Sequence, residues 1–512
     1  MLLRFVLRNI RKRLFLNLIK VAGLALGLSS ILLIALFLKN ELTYDAFNTK
    51  ASRIYRLTIT DPGFLANSHF ARVYNSEHID DLAAYFSEIE SFVRLAPIRG
   101  GMMFYKEKYY TINEAFQCDS TFFRIFDIGL LTGDRNTILN SPGSMVVSQS
   151  FAQRVFGSDN PTGEIISIPA GQYYGDKTDF TIKGVMKDFP QNSHFHPDLV
   201  TTPAKGSVNW WAFVYLLLTE NADPQKIIKG YPGFLAGSDN QPEERIETKA
   251  YLEKLTDIHL HSDKLREIEL NSNVTNIIVL TIAALILLLI SMSNVASLNL
   301  SMAFFNRKFL TVSRVLGCSK LMNLNYFLVE SLLITAIAIL LAYMIVGPAN
   351  TLIYNNHNIN LLQGNAWLKI TITLGFILLA LLAGIQPVLT MHNEERVTGK
   401  NIRQGVVLNR GIIIVQFAFA IVLIIAVIVI SRQTRYALNQ SLGAQNENII
   451  CFESVHTNVQ QKFGLFKDEL LKHNSVESVT AMMEPPGGEA NDMFPFELEG
   501  YTSADEIGRA HV

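Results

Sequence analysis

Two pairs of histidines and one glycine-bracketed stretch are the first places to look for chemistry. His194 with His196, and His259 with His261, are spaced to present two imidazoles to one face of a strand, a geometry that can start a metal site. No cysteine or acidic cluster completes either pair, so a metal site is not expected at either. GQYYGDKT (171–178) resembles a phosphate-cradling loop, but three residues separate its glycines where four are needed, and Asp176 stands where Lys must follow. It is expected to be a hairpin turn. There is no P-loop, nucleophile elbow, zinc-protease motif or carboxylate pair in a recognisable setting. The chain is therefore expected to be no enzyme, with no catalytic residue, metal ligand or cofactor of its own.

The remaining chemistry-bearing groups lie inside apolar sequence. Asn294 and Asn299 sit near one end of a hydrophobic run and Glu330 near the start of the next. Polar groups in hydrocarbon are costly unless paired, so interhelical hydrogen bonds are expected for all three. A substrate or proton path would additionally require a wet cavity.

The elements that must hold these residues are membrane spans. The hydrophobic fraction is 49% and the mean hydropathy +0.23, high for a soluble protein. Five segments reach the roughly 20 apolar residues that cross a bilayer: 21–38, 277–298, 326–346, 370–391 and 411–431. Interior Gly384 and Pro387 are expected to bend the fourth. The net charge of -1 says nothing about partners, but the location of the charges does. Arg4, Arg8, Arg11, Lys12, Arg13 and Lys20 precede the first span. Arg307, Lys308, Arg314 and Lys320 follow the second, and the linker 392–410 is also basic, whereas ANTLIYNNHNINLLQGNAW in the loop 347–369 has no Lys or Arg at all, as expected of an outer loop. By the positive-inside rule the N-terminus and both basic loops are cytoplasmic. Arg432 and Arg435 beyond the fifth span dissent mildly. With Phe5, Leu7, Ile10 and Leu14 between its cations, segment 1–20 suits a helix lying on an anionic leaflet, or a simple topogenic tail. Three scattered cysteines exclude a disulfide framework.

Residues 40–270 form an insert with the composition of an α+β extracytoplasmic domain. RIYRLTI, SMVVS and FTIKGVM read as strands. SQSFAQRVFG reads as a helix capped by Ser148 and closed by Gly157, and NPTG (160–163) as a turn. The series FFRIFDIGLLTGD (122–134), SPGSMVVSQSFAQRVFGSDNPTG (141–163) and FTIKGVMKDFPQNSHF (180–195) resembles the periplasmic core domain of MacB-type ABC transporter permeases. YLEKLTDIHLHS (251–262) is similar to that domain's returning strand, and the three spans that follow resemble the FtsX-like permease module.

The resemblance implies a permease subunit whose ATP is bound and hydrolysed by a separate ABC ATPase. It makes 303–325 the coupling segment, with Arg307, Lys308, Arg314, Leu316, Gly317 and Lys320 as the ATPase-coupling residues. A short surface helix ended by Gly317 is expected there. Aligned through Val315, Leu316 and Gly317, the chain departs from the family pattern at Phe309, Thr311 and Ser313, where Glu, Gly and Arg are usual. That departure bears on coupling strength and on which ATPase is used.

After the fifth span the chain repeats its own opening. NIICFES at 448 matches RIYRLTI, and Val476, Glu477, Ser478 and Val479 match Ile89, Glu90, Ser91 and Phe92. Residues 432–505 are thus expected to begin a second, incomplete extracytoplasmic domain of a longer, double-length permease. EIGRAHV (506–512) is what a common DNA sequencing adapter encodes when read in frame, so these residues are expected to be foreign.

The expectation is an α-helical transmembrane protein of the cell (inner) membrane, dimeric or pseudo-dimeric, contacting lipid and an ATPase and no nucleic acid. Its expected output is export of a peptide, drug or lipid-linked cargo by mechanotransmission, with a periplasmic adaptor or outer-membrane factor as further partner. The alternative is an FtsX-like regulator of cell-wall hydrolases, or an antimicrobial-peptide sensor, that moves no solute.

Overall fold

The computed structural model describes residues 2–482 except 61–68, 74–77, 99–101, 158–159, 170–176, 204–210, 238–247, 316, 318, 393–398, 440–447, 453, 454 and 456. Two compact units result, one from Met1–Leu42 with Val274–Gln440, the other from Thr43–Asn273 with Ser441–Val512.

The first unit is helical: α1 (Leu2–Lys12) and α2 (Leu14–Leu42) open the chain. In the second unit follow β1 (Ile54–Thr60), β2 (His69–Phe70), α3 (Ile79–Tyr85), β3 (Ile89–Pro97), β4 (Met102–Tyr105), β5 (Lys108–Thr111), β6 (Ala115–Cys118), α4 (Phe122–Ile125), β7 (Leu130–Thr132) and β8 (Ser144–Ser148). It continues with α5 (Gln149–Phe156), β9 (Ile165–Pro169), β10 (Lys177–Met186), β11 (Leu199–Thr201), β12 (Phe213–Leu218), α6 (Pro224–Ala236), β13 (Lys249–Lys254) and α7 (Ile258–His261). The helical unit resumes with α8 (Val274–Val315), α9 (Lys320–His357), α10 (Ala366–His392) and α11 (Gly399–Asn439), and α12 (Thr457–Gln461) and α13 (Phe463–Leu470) come last.

The strands form one sheet in the order β13-β1-β12-β3-β6-β11-β8-β10-β9-β4-β5, with β2 on β1 and β7 on β10. It is antiparallel except for β8 with β10 and β6 with β11. The three strands and the helix expected from sequence form as β1, β8, β10 and α5. Ser148 Oγ accepts from Phe151 N at 3.3 Å, and Gly157 takes φ 62°, which no β-carbon opposes. Glu164 N reaches Pro161 O at 3.1 Å to close the NPTG turn. Phe180 pairs with Ile166 and Lys177 with Pro169, as a β9–β10 hairpin requires; its connection, 170–176, lies outside the described residues. The main core buries Phe116, Phe122, Phe126, Phe195, Phe213 and Tyr215 completely or nearly so, each worth about 1.5–3 kcal/mol of transfer free energy.

Several expectations are corrected. Among the described residues four helices are long and apolar enough to cross a membrane: Leu14–Leu42, Val274–Asn299, Leu321–Asn356 and Ile413–Asn439. The expected fourth span falls on α10, whose apolar stretch over the described residues is the shorter Ala366–Leu382. The backbone of α10 continues through Pro387. Gly384 serves a close approach, since a Cβ there would lie 2.8 Å from Ser331 Cβ. No separate surface helix forms within 303–325. With no Gly or Pro from Val274 to Leu316, α8 runs unbroken to Val315. The chain then turns at Gly317, φ 87°, and restarts where Ser319 Oγ caps Met322 N at 3.3 Å. The linker 392–410 is helical from Gly399, continuous with the fifth span. The returning strand ends at Lys254, and His259 and His261 lie on the short helix α7.

The repeat reading also changes. Residues 449–452 and 476–482 form no strand. Their counterparts β1 and β3 both pair with β12, and β1 also with β13, so each needs partners from much later in its domain. Residues 483–512, including the segment read as foreign, lie outside the described residues.

Candidate functional site: a buried polar cluster in the helix bundle

In the helical unit α2, α8, α9 and α10 share a core of Leu24, Leu28, Val295, Ala338 and Phe376. Small residues let the helices close in. A Cβ on Gly27 would lie 2.4 Å from Ser291 Oγ, and Ser291 Oγ reaches Gly23 O at 3.5 Å. On α9, Ser331 Oγ donates to Ala380 O of α10 at 2.9 Å.

Asn294 and Asn299 hydrogen-bond across helices, whereas Glu330 bonds within its own helix and meets its neighbours through charge. Asn294 Oδ1 accepts from Gln416 Nε2 of α11 at 2.5 Å. Asn299 Oδ1 accepts from Lys20 Nζ of α2 at 2.7 Å. Glu330 lies beside the Tyr326 phenol and in electrostatic reach of Lys20 and Arg13. Both Lys20 and Glu330 are only 5% exposed. Lys20, Asn299, Glu330 and Thr335, with Leu24 and Phe327, line a cavity of about 20 Å³, roughly the size for one water. Its polar groups are the Lys20 amine, the Glu330 carboxyl, the Asn299 amide and the hydroxyls of Ser331 and Thr335. Such a set can fix helices relative to one another, and a cavity of this size holds no more than a water.

Sequence reasoning missed Lys20, grouped with the N-terminal cations, and Gln416, hidden in an apolar run. Nothing local marks either residue as a partner, because the packing of α2 and α11 against α8 makes the choice. For the coupling residues, the structure gives Gly317 as the turn after α8. The side chains of Arg307, Lys308, Arg314, Leu316 and Lys320 lie outside those described.

The sheet unit holds a second network. Arg56, fully buried on β1, donates to Glu253 Oε2 at 2.7 Å and to Glu267 Oε2 at 2.5 Å. Ser262 Oγ donates to Glu267 Oε1 at 2.5 Å. Burial alone would lower the Arg56 pKa, but the hydrogen bond to Glu267 and the charges around the guanidinium, those of Glu267 and Glu253 among them, together outweigh it and raise the pKa. Burial would likewise raise Glu267, and the Arg56 hydrogen bond and charge instead hold it below the usual carboxylate value. Nearby, His194 Nε2 is 2.6 Å from Tyr215 Oη. Its Nδ1 lies 2.9 Å from Asp45 Oδ2, a close contact without hydrogen-bond alignment. His196 Nδ1 contacts Glu269 Oε1 at 2.7 Å. His259 stacks on Tyr44, ring centroids 3.3 Å apart. Three of the four histidines are thus held by protein groups, and no group of three or more metal-ligating side chains occurs among the described residues.

Apolar helices of spanning length joined to a separately folded α+β insert define a multi-span membrane protein with an extracytoplasmic-type domain. The model of the MacB-like periplasmic core domain matches residues 18–230, and that of the FtsX-like permease C-terminal region matches residues 281–395. The chain belongs to the MacB/FtsX-like ABC permeases, subunits that are not themselves ATPases and work with an ATPase partner. Among solved structures it is similar to the periplasmic region of MacB from Actinobacillus actinomycetemcomitans, at 13% identity and TM-score 0.28, covering 41% of this chain and 91% of that one. It is also similar to the extracellular domain of the noncanonic ABC-type transporter YknZ from Gram-positive bacteria, at 16% identity and TM-score 0.29, covering 39% and 99%. No curated protein matches the chain.

Proposed function

We propose that this chain is the membrane subunit of a mechanotransmission system: a partner ATPase bends the helices, and the extracytoplasmic domain performs the output. The observation that carries this reading is the tight seam between α2 and α8, where Gly27 meets Ser291 and Lys20 meets Asn299. These two helices are the ones that flank residues 43–273 in the sequence, so a tilt of one is carried to the other and delivered to both ends of the insert. The N-terminus and the turn around Gly317 are cytoplasmic in this reading, and Arg307, Lys308, Arg314, Leu316 and Lys320 contact the ATPase.

Export of a peptide, drug or lipid-linked cargo is the preferred output. The test is ATP turnover by the reconstituted complex with its neighbouring-gene ATPase, with and without candidate cargo. Cargo-stimulated turnover supports export; intact turnover indifferent to every cargo counts against it. The one-water cavity favours a second reading, in which the domain regulates a hydrolase or senses a peptide and nothing passes through the bundle. Capture of a cell-wall hydrolase by the intact chain, with cell chaining on deletion, would decide for that reading.

A further inference from the structure

We propose that α1 is a binding site for anionic phospholipid headgroups and that its occupancy is reported to the buried cluster through Tyr326. Three surfaces run along α1. Val6 is fully buried against Tyr326 and Phe327, with Ile10 beside it, which docks the helix on the start of α9. Leu3 and Leu7 are exposed and continue into exposed Leu14 and Leu18 of α2, a stripe suited to acyl chains. Arg4, Arg8 and Arg11, at spacings of four and three, form the remaining stripe with Lys12 at its end. None of these four cations has a carboxylate partner among the described residues, and no Asp or Glu occurs before Glu41. Arg8 is steadied over the Phe5 ring, 5.5 Å from its centroid. An uncompensated basic stripe beside an apolar one, on a helix joined directly to a span, is complementary to a leaflet of anionic phosphodiesters.

The route inward is short. Asn9 Nδ2 hydrogen-bonds Tyr326 Oη, and Tyr326 adjoins Glu330, which faces Lys20 and through it Asn299 of α8. Phe5 also meets the Tyr326 ring edge-on at 5.8 Å. Headgroups that hold α1 against the leaflet thereby hold the first turns of α9, the helix that begins directly after the Gly317 turn. Neither half of the proposal depends on whether the chain moves cargo.

The test uses the full chain in phosphatidylcholine bilayers carrying spin-labelled phosphatidylglycerol or spin-labelled phosphatidylcholine. The expected result is a roughly three- to tenfold preference for phosphatidylglycerol in the motionally restricted component. It should fall toward unity in an Arg4→Gln, Arg8→Gln, Arg11→Gln, Lys12→Gln variant. No preference in the parent chain overturns the site, as does a preference that the variant retains. Displacement by millimolar inorganic phosphate at constant ionic strength would also overturn it, by assigning the site to a soluble anion. In a second arm, added phosphatidylglycerol should slow amide exchange over 320–330, and Tyr326→Phe should abolish that slowing while keeping the lipid preference. Unchanged exchange in the parent chain overturns the coupling.

Discussion

Lys20 Nζ and Asn299 Oδ1 meet at 2.7 Å across 279 residues of chain, in the cavity that also receives Glu330. Lys20 thus belongs with the bundle core and not with the exposed cations before it. A buried cation facing a buried carboxylate is a fragile arrangement. Desolvating both costs several kcal/mol, and each is tolerable only while the other remains.

Lys20→Met should therefore destabilise the helical unit by about 3–5 kcal/mol, because Glu330 loses its nearest basic neighbour on α2. Glu330→Gln should do the same to Lys20. The double variant should be less damaged than the sum of the two. Thermal melts of all four chains in nanodiscs give the coupling energy, and strict additivity would mean that the two charges do not interact.

Gly27→Ala should push α2 from α8, since its methyl would lie 2.4 Å from Ser291 Oγ and 2.7 Å from Ser291 Cβ. A loss of about 1–3 kcal/mol is expected for such overpacking. Ser291→Gly, introduced second, should recover most of it, whereas Gly23→Ala, with nothing within 4 Å, should be nearly neutral. The same melts rank the three.

What could be read without coordinates was what neighbouring residues decide together. Ser148 and Gly157 bracket α5 because a cap and a left-handed terminus act within one or two turns. The short apolar runs of β1 and β10 were legible for the same reason. The sheet order was not, since β1 pairs with β12 through Ile54 and Leu217, far apart in sequence, and nothing in either strand names the other. The pairs Asn294–Gln416 and Lys20–Asn299 were hidden likewise: the cost of an unpaired polar group predicts that a partner exists, but only helix packing chooses it. The extent of α8 was misread for a local reason. Its basic stretch resembled a surface segment, yet it lacks any residue that stops a helix before Gly317.

Arg56→Met should be among the most damaging substitutions in the sheet unit. It leaves Glu253 and Glu267, both bonded to Arg56, in a buried site without their shared cation. The expected loss is about 3–5 kcal/mol. Because Arg56 holds the Glu267 pKa below its unfolded value, that part of the stability is present above the unfolded pKa and disappears as pH falls through the folded one. The gap between parent and Arg56→Met melting temperatures should accordingly narrow on acidification below about pH 4. Adding Glu253→Gln and Glu267→Gln should restore much of the loss at neutral pH. A triple variant no more stable than Arg56→Met would show that packing of the arginine stem, not charge, is what the site needs.

Glu114 titrates the other way. Its Oε2 accepts from the His196 backbone N–H at 2.6 Å. Burial nevertheless pushes the carboxyl up to about 8, with Glu269 and Asp198 adding like charge. The native state therefore keeps its proton where the unfolded chain, near pH 4.5, has lost it. In that window the folded form binds more protons, so this group's contribution to stability falls as pH rises from about 4.5 to about 8 and is level beyond. His196 works in the same sense. Burial would lower its pKa, but the bond to Glu269 raises it, and stability from that pair is lost as pH climbs through the raised value. The two are distinguished by Glu114→Gln, which keeps an oxygen for the His196 N–H and removes the carboxyl's titration, while His196 keeps its bond to Glu269 and loses only the smaller support of the Glu114 charge. The difference in melting temperature, variant minus parent, should grow steadily in the variant's favour from about pH 5 to pH 8 and then stop growing. A difference that stays constant with pH would mean that Glu114 is ionised at neutral pH and that the carboxylate is sustained by groups other than those facing it here.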